Sequence, residues 1–116
     1  MLVLKTGLGR VYEDPKKVDV SASIRGLRRG DSTVLDRVGE ESGEWYIQVW
    51  LRPDGPFQLE YRAGTAAEHY QTRTASIERV VDAFFRWIDR DPAWTAAFEW
   101  TNIGEWFEHH TDAADT

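Results

Sequence analysis

The stretch Glu44-Trp45-Tyr46-Ile47-Gln48-Val49-Trp50-Leu51-Arg52, with Pro53-Asp54-Gly55-Pro56 and Phe57-Gln58-Leu59-Glu60-Tyr61-Arg62 after it, decides the fold. In the first run Ile47, Val49 and Leu51 share one parity and Tyr46, Gln48 and Trp50 the other, the alternation of an extended strand. The prolines fix φ and Gly55 is permissive, so the intervening residues read as a turn. In the second run Phe57, Leu59 and Tyr61 alternate with Gln58, Glu60 and Arg62. The two runs pair as an antiparallel hairpin with one apolar face. The opposite face carries Tyr46, Gln48, Trp50, Gln58, Glu60 and Arg62.

Outward from this hairpin, Glu68 to Thr74 continues as a strand with Tyr70 and Thr72 on one side and His69, Gln71 and Arg73 on the other. Ser76 is a helix N-cap, Glu78 follows in the first turn, and Ile77, Val80, Val81, Phe84 and Ile88 form a stripe, which predicts a helix over 77–89. Pro92 opens a further turn, and residues 97–103 read as a last strand. Toward the N-terminus, residues 2–5 and 32–38 read as strands. Val20, Ile24 and Leu27 recur at helical spacing after Pro15 and before Gly30, giving a helix over 16–28. The order implies the α+β class: an antiparallel sheet of about four to six strands with two main helices packed on one face. Residues 1–110 make a single domain, and 111–116 form a polar tail expected to fray.

The 116 residues contain no cysteine, which excludes disulfides and thiol chemistry. No apolar run approaches the ~20 residues that cross a bilayer. The N-terminus lacks signal-peptide features, so a cytoplasmic, soluble protein is expected. The net charge is -6, which disfavours nucleic-acid phosphates as partners. The acid is unevenly placed: residues 1–40 hold eight basic and six acidic side chains, residues 41–116 six basic and fourteen acidic. An acidic face that meets a basic protein is one reading, and a solvated surface is the plain one.

Signals for chemistry are sparse. The histidines are His69, His109 and His110. Glu105 and His109 would lie one turn apart on a helix, with Glu108 or His110 nearby, yet no zinc or calcium spacing supports a metal site. No nucleophile elbow accompanies His69, and Gly7-Leu8-Gly9-Arg10 lacks the residues of a phosphate loop and reads as a plain turn. A small hydrolase using His69 with Glu60 or Glu68 remains as an alternative, as does a structural or adaptor subunit. No cofactor is expected. Six tryptophans need burial or a partner. Trp87, Trp94 and Trp100 read as core, whereas Trp50 and Tyr46 project from the face opposite the aliphatic one, exposed or covered only by the C-terminal segment.

The residues Phe57-Gln58-Leu59-Glu60-Tyr61-Arg62, Glu68-His69-Tyr70, Ser76-Ile77-Glu78-Arg79-Val80-Val81-Asp82-Ala83-Phe84 and Trp94 with Phe98-Glu99-Trp100 resemble a family of small actinobacterial proteins. That family is similar to the immunity proteins of bacterial polymorphic toxin systems, of the α+β type predicted to neutralise deaminase toxins. The resemblance spans roughly residues 44–100. It implies a non-enzymatic inhibitor that binds a basic toxin domain, with Tyr46, Trp50, Glu60, Tyr61, Glu99 and Trp100 as contact residues. The basic group Arg25, Arg28 and Arg29 departs from that pattern, and the oligomeric state is left open.

Overall fold

The computed structural model of the chain describes residues 1–107, so the expectations placed on Glu108, His109, His110 and the 111–116 tail lie outside the described residues. Strands β1 (Leu2–Thr6), β2 (Val11–Glu13), β3 (Ser32–Arg37), β4 (Glu44–Leu51), β5 (Phe57–Gly64), β6 (His69–Thr74) and β7 (Thr101–Asn102) form one sheet. Its order is β2-β1-β3-β4-β5-β6-β7, and every pairing is antiparallel. The α+β class is as read from the sequence, with more strands than expected.

The additional strand is β2. All three of its residues are exposed, so burial imposes no alternation on them. Its pairing is set by the turn through Gly7-Leu8-Gly9-Arg10. There the Thr6 N–H donates to the Arg10 carbonyl at 2.9 Å and the Gly9 N–H to the Thr6 carbonyl at 3.0 Å. Gly9 takes φ 83, a left-handed conformation that suits glycine. The last strand is shorter than the expected 97–103, because Pro92–Ala97 winds into a 3₁₀ helix whose first turn is capped by Asp91.

Helix α1 (Lys17–Arg25) starts where the Lys16 N–H donates to the Asp19 carboxylate at 2.8 Å. It stops short of the expected residue 28 at Gly26, whose N–H still reaches the Ala22 carbonyl. The chain then turns, with the Arg28 N–H donating to Asp31 and Gly30 at φ 92. Helix α2 (Ile77–Ile88) is capped by Ser76, which accepts from the Arg79 N–H. Its buried face includes Val80, Val81 and Phe84 of the expected stripe and adds Ala83 and Trp87. Ile77 and Ile88 are partly buried at its margin.

Leu4, Leu35, Ile47, Val49 and Leu59 from the sheet form one fully buried core with Val20, Ile24, Val80 and Phe84 from the helices. Two arginines tie the periphery. Arg25 grips Glu78 through both guanidinium nitrogens at 2.7 and 3.0 Å, linking α1 to α2, while Arg29 reaches the Pro53 carbonyl. Arg37 is buried with its guanidinium over the Trp87 ring, 4.3 Å from the centroid, and donates to the Trp87 and Ile88 carbonyls at the end of α2. Burial holds its pKa below the usual arginine value, and here it satisfies helix C-terminal carbonyls. Among the described residues, no helix is long and apolar enough to cross a membrane.

Candidate functional site

The helices occupy one face of the sheet, and the site is built on the other. Strand register aligns its side chains in rows across β3 to β6: Asp36, Tyr46, Arg62 and His69; Val34, Gln48, Glu60 and Gln71; Ser32, Trp50, Gln58 and Arg73. Tyr46 and Trp50 are half-buried, with the Arg52 guanidinium 5.0 Å from the Trp50 ring centroid.

Beneath them runs a polar chain that is almost closed to solvent. Arg52 donates to the Gln58 oxygen at 2.7 Å, and the Gln58 amide donates to Glu60 Oε2 at 2.7 Å. His69 Nε2 lies 2.7 Å from Glu60 Oε1, and Arg62 Nε–H donates to His69 Nδ1 at 3.1 Å. Arginine has no acceptor nitrogen, so His69 Nδ1 accepts, and Nε2 carries the proton that Glu60 receives. Arg62 also reaches Glu44 at 3.3 Å, and the Tyr46 hydroxyl sits 3.4 Å from His69 Nδ1. Gln58, Glu60, Arg62 and His69 are all buried, and no buried side-chain polar atom among the described residues lacks a partner.

The C-terminal segment seals this chain. The Ile103 N–H donates to the His69 carbonyl at 2.8 Å, and the Asn102 amide to the Ala67 carbonyl at 3.0 Å. Gly104 is required for the approach: a Cβ there would lie 2.5 Å from the Ala66 carbonyl oxygen. Phe107 then rests on His69, ring centroids 4.4 Å apart, and on the Arg62 guanidinium at 4.8 Å. His69 is left 1% exposed.

Between this segment and the sheet lies a cavity of about 490 Å³. Gln58, Glu60 and Gln71 line it from the sheet, and Asn102, Ile103, Glu105, Trp106 and Phe107 from the C-terminal segment. His69 does not line it, so the imidazole orients Glu60 from behind and does not face the cavity. Glu68 is exposed in the 3₁₀ turn Ala66–Glu68 and does not join Glu60 in a carboxylate pair. No group of three or more metal-ligating side chains is found among the described residues.

Burial alone pushes the Glu60 carboxyl up, but hydrogen bonds from His69 and Gln58, with the Arg62 charge nearby, outweigh it and hold Glu60 below the usual carboxylate range. The stabilisation from ionised Glu60 is fully present above the unfolded glutamate value of about 4.3 and is lost as pH falls through the lower folded value. In urea unfolding across that acid range, the stability difference between wild type and Glu60→Gln is expected to hold steady above pH ~4.3 and shrink below it. A difference independent of pH would show that the carboxylate is not held by these bonds.

The six contact residues suggested by the sequence do not form one surface. Tyr46, Trp50 and Glu60 share the open face, with Glu60 reaching the outside only through the cavity. Tyr61 lies on the helix side, because it shares parity with Leu59 and Phe57. It stacks on Tyr70 at 4.9 Å and meets Trp94 and Trp100 edge-on at 4.9 and 4.8 Å. Trp100 belongs to the same cluster, its indole N–H donating to the Thr95 carbonyl at 2.8 Å. Glu99 is exposed near Arg73 and Arg79, away from the cavity. Tyr61 on the apolar parity and Trp100 at the core edge are where the residue pattern put them, and aromatic packing there engages both.

Gln71, Asn102 and Trp106 went unremarked as site residues in the sequence, and Glu105 was weighed only as a metal ligand beside His109. The strand parity contained the signal for Gln71, which register puts beside Glu60. The fold of the C-terminal segment back over the sheet left no such periodic trace. Comparison of the chain with protein-family models, with curated proteins and with solved structures gives no match.

Proposed function

We propose that the protein is a non-enzymatic binding protein that holds a basic protein domain against the open face of its sheet. The observation that carries this reading is the division of the sheet. One face is consumed by the helices, while the other presents Tyr46 and Trp50 half-buried on a scaffold whose buried side-chain polar atoms, among the described residues, all have partners. Aromatic side chains on a rigid face supply contact area at small entropic cost. The acidic excess of residues 41–116 supplies complementarity to a positive partner. Enzymes that act on nucleic acids carry positive clefts, which fits the toxin-neutralising role implied by the resemblance, exerted in the cytoplasm. Burial of His69 behind Glu60 weighs against the hydrolase alternative, since a general base needs a path to its substrate.

The test is co-purification from the native host followed by binding kinetics across a salt series. Long-range steering is screened over about 8 Å at physiological salt, so association is expected to slow as salt rises. Trp50→Ala is expected to raise the dissociation rate by about tenfold or more with little change in association, as for a central aromatic contact. An association rate indifferent to salt, together with a harmless Trp50→Ala, would remove the case for this face.

A further inference from the structure

The cavity beside Glu60 has a chemistry more specific than a flat contact surface. Two carboxylates, Glu60 and Glu105, line it, and among the described residues no lysine, arginine or histidine does. Two arginines bonded to the polar chain at its floor are engaged: Arg62 with His69 and Glu44, Arg52 with Gln58 and Asp54. Arg73 pairs with Gln58 in the strand register and stands outside the lining. Its volume falls in the range of roughly 300–1,000 Å³ typical of ligand sites.

We infer that this cavity receives the guanidinium group of an arginine presented by the protein partner. The inference rests on the binding role proposed above and names its anchor. No group of three or more histidine, cysteine, aspartate or glutamate side chains that could hold a metal ion occurs among the described residues, and the space is far larger than a bare cation requires. Acceptors on Glu60, Glu105 and Gln71 surround one space, which suits a planar group with five N–H donors better than a compact ammonium with three. Trp106 and Phe107 complete the lining with aromatic surface, beside which a weakly hydrated guanidinium is better tolerated than an ammonium. At the floor, Glu60 is fixed by His69 and Gln58, so its carboxylate is pre-oriented before the ligand arrives.

The experiment needs no partner. The full-length protein, labelled with ¹⁵N, is titrated with N-acetyl-arginine amide, with the citrulline derivative of equal shape but no charge, and with the lysine derivative. Saturable shifts are expected at the Trp106 indole N–H and the Gln71 side-chain amide, with arginine binding about tenfold tighter than citrulline and tighter than lysine. Glu105→Gln changes an exposed side chain and leaves the fold intact; it is expected to weaken arginine binding about fivefold or more. Equal binding of arginine and citrulline, equal binding of lysine, unsaturable shifts, or an unaffected Glu105→Gln would each overturn the assignment. A cavity that binds arginine in a protein for which no basic partner is found overturns the binding role alone. A basic partner held through Trp50, with arginine ignored by the cavity, overturns this inference alone.

Discussion

Phe84→Ala is expected to lose about 3–5 kcal/mol of unfolding free energy in urea, the range for truncating a fully buried phenylalanine. Phe84 is 0% exposed and sits on α2 facing the sheet, in one cluster with Ile24 of α1 and Ile47 and Leu59 of the central strands. Removing the ring deletes its transfer free energy and leaves a void where α1, α2 and the sheet meet, which close-packed neighbours fill only in part. A loss of that size is a large share of the roughly 5–15 kcal/mol available to a small domain. The neighbouring Phe85 supplies the control. It is only partly buried, under the Lys17 ammonium at 5.6 Å, so Phe85→Ala is expected to cost less than half as much. Equal losses at the two positions, or a loss below about 1 kcal/mol at Phe84, would mean that α2 presents another face to the sheet.

The hairpin and the helix that covers it were legible because burial on one side writes a period into the sequence. Ile47, Val49, Leu51, Phe57 and Leu59 alternate because one face of β4 and β5 is core, and Val80, Val81 and Phe84 recur because one stripe of α2 is. Where burial imposes no pattern, the reading loses its grip. Strand β2 has three exposed residues, and its existence depends on hydrogen bonds to β1 that no side chain reports. The same holds for the end of α1, decided by the local turn at Arg28 to Gly30 and not by the apolar spacing, which continues to Leu27.

The candidate site was legible by halves. Parity alone placed Tyr46, Trp50 and Glu60 on the face away from the aliphatic core, and the structure keeps them there. Parity also placed Tyr61 with Leu59, and the geometry follows parity, not the family resemblance that grouped Tyr61 with Trp50. What the sequence withheld was the partner of each polar group. Parity placed Glu60 and Arg62 beside aromatics on an open sheet and left His69 as a candidate base, yet all three are buried. The reason is tertiary: Asn102, Ile103 and Phe107 fold over β6, and that contact depends on a glycine at 104 whose importance shows only when the Ala66 carbonyl is in view.

His69 then becomes the side chain on which the open face depends, and His69→Ala is expected to cost about 3–5 kcal/mol, because removing the neutral imidazole leaves two buried ionised groups, Glu60 and Arg62, each short of a hydrogen-bond partner at about 1–3 kcal/mol apiece or more. The imidazole joins two ionic groups that have little access to water: its Nε2–H donates a hydrogen bond to Glu60 and its Nδ1 accepts one from Arg62. Without it, Glu60 keeps the Gln58 bond but loses the His69 bond, and the Arg62 Nε–H is left facing a void under Phe107. Glu60→Gln is milder, because the amide oxygen can still accept from His69, although the charge is lost and the new NH2 no longer accepts from Gln58; a cost of about 1–3 kcal/mol is expected at neutral pH. The double mutant distinguishes a coupled network from two separate losses. With His69 absent, Glu60→Gln removes a carboxylate that is already poorly compensated, so the double mutant is expected to be more stable than the sum of the single effects by about 1 kcal/mol or more. Urea unfolding of the four proteins at pH 7 measures this coupling. Additive losses would mean that His69 contributes only its packing against Phe107 and Tyr46, and the face presented to a partner would then owe its order to the rings and not to the charges beneath them.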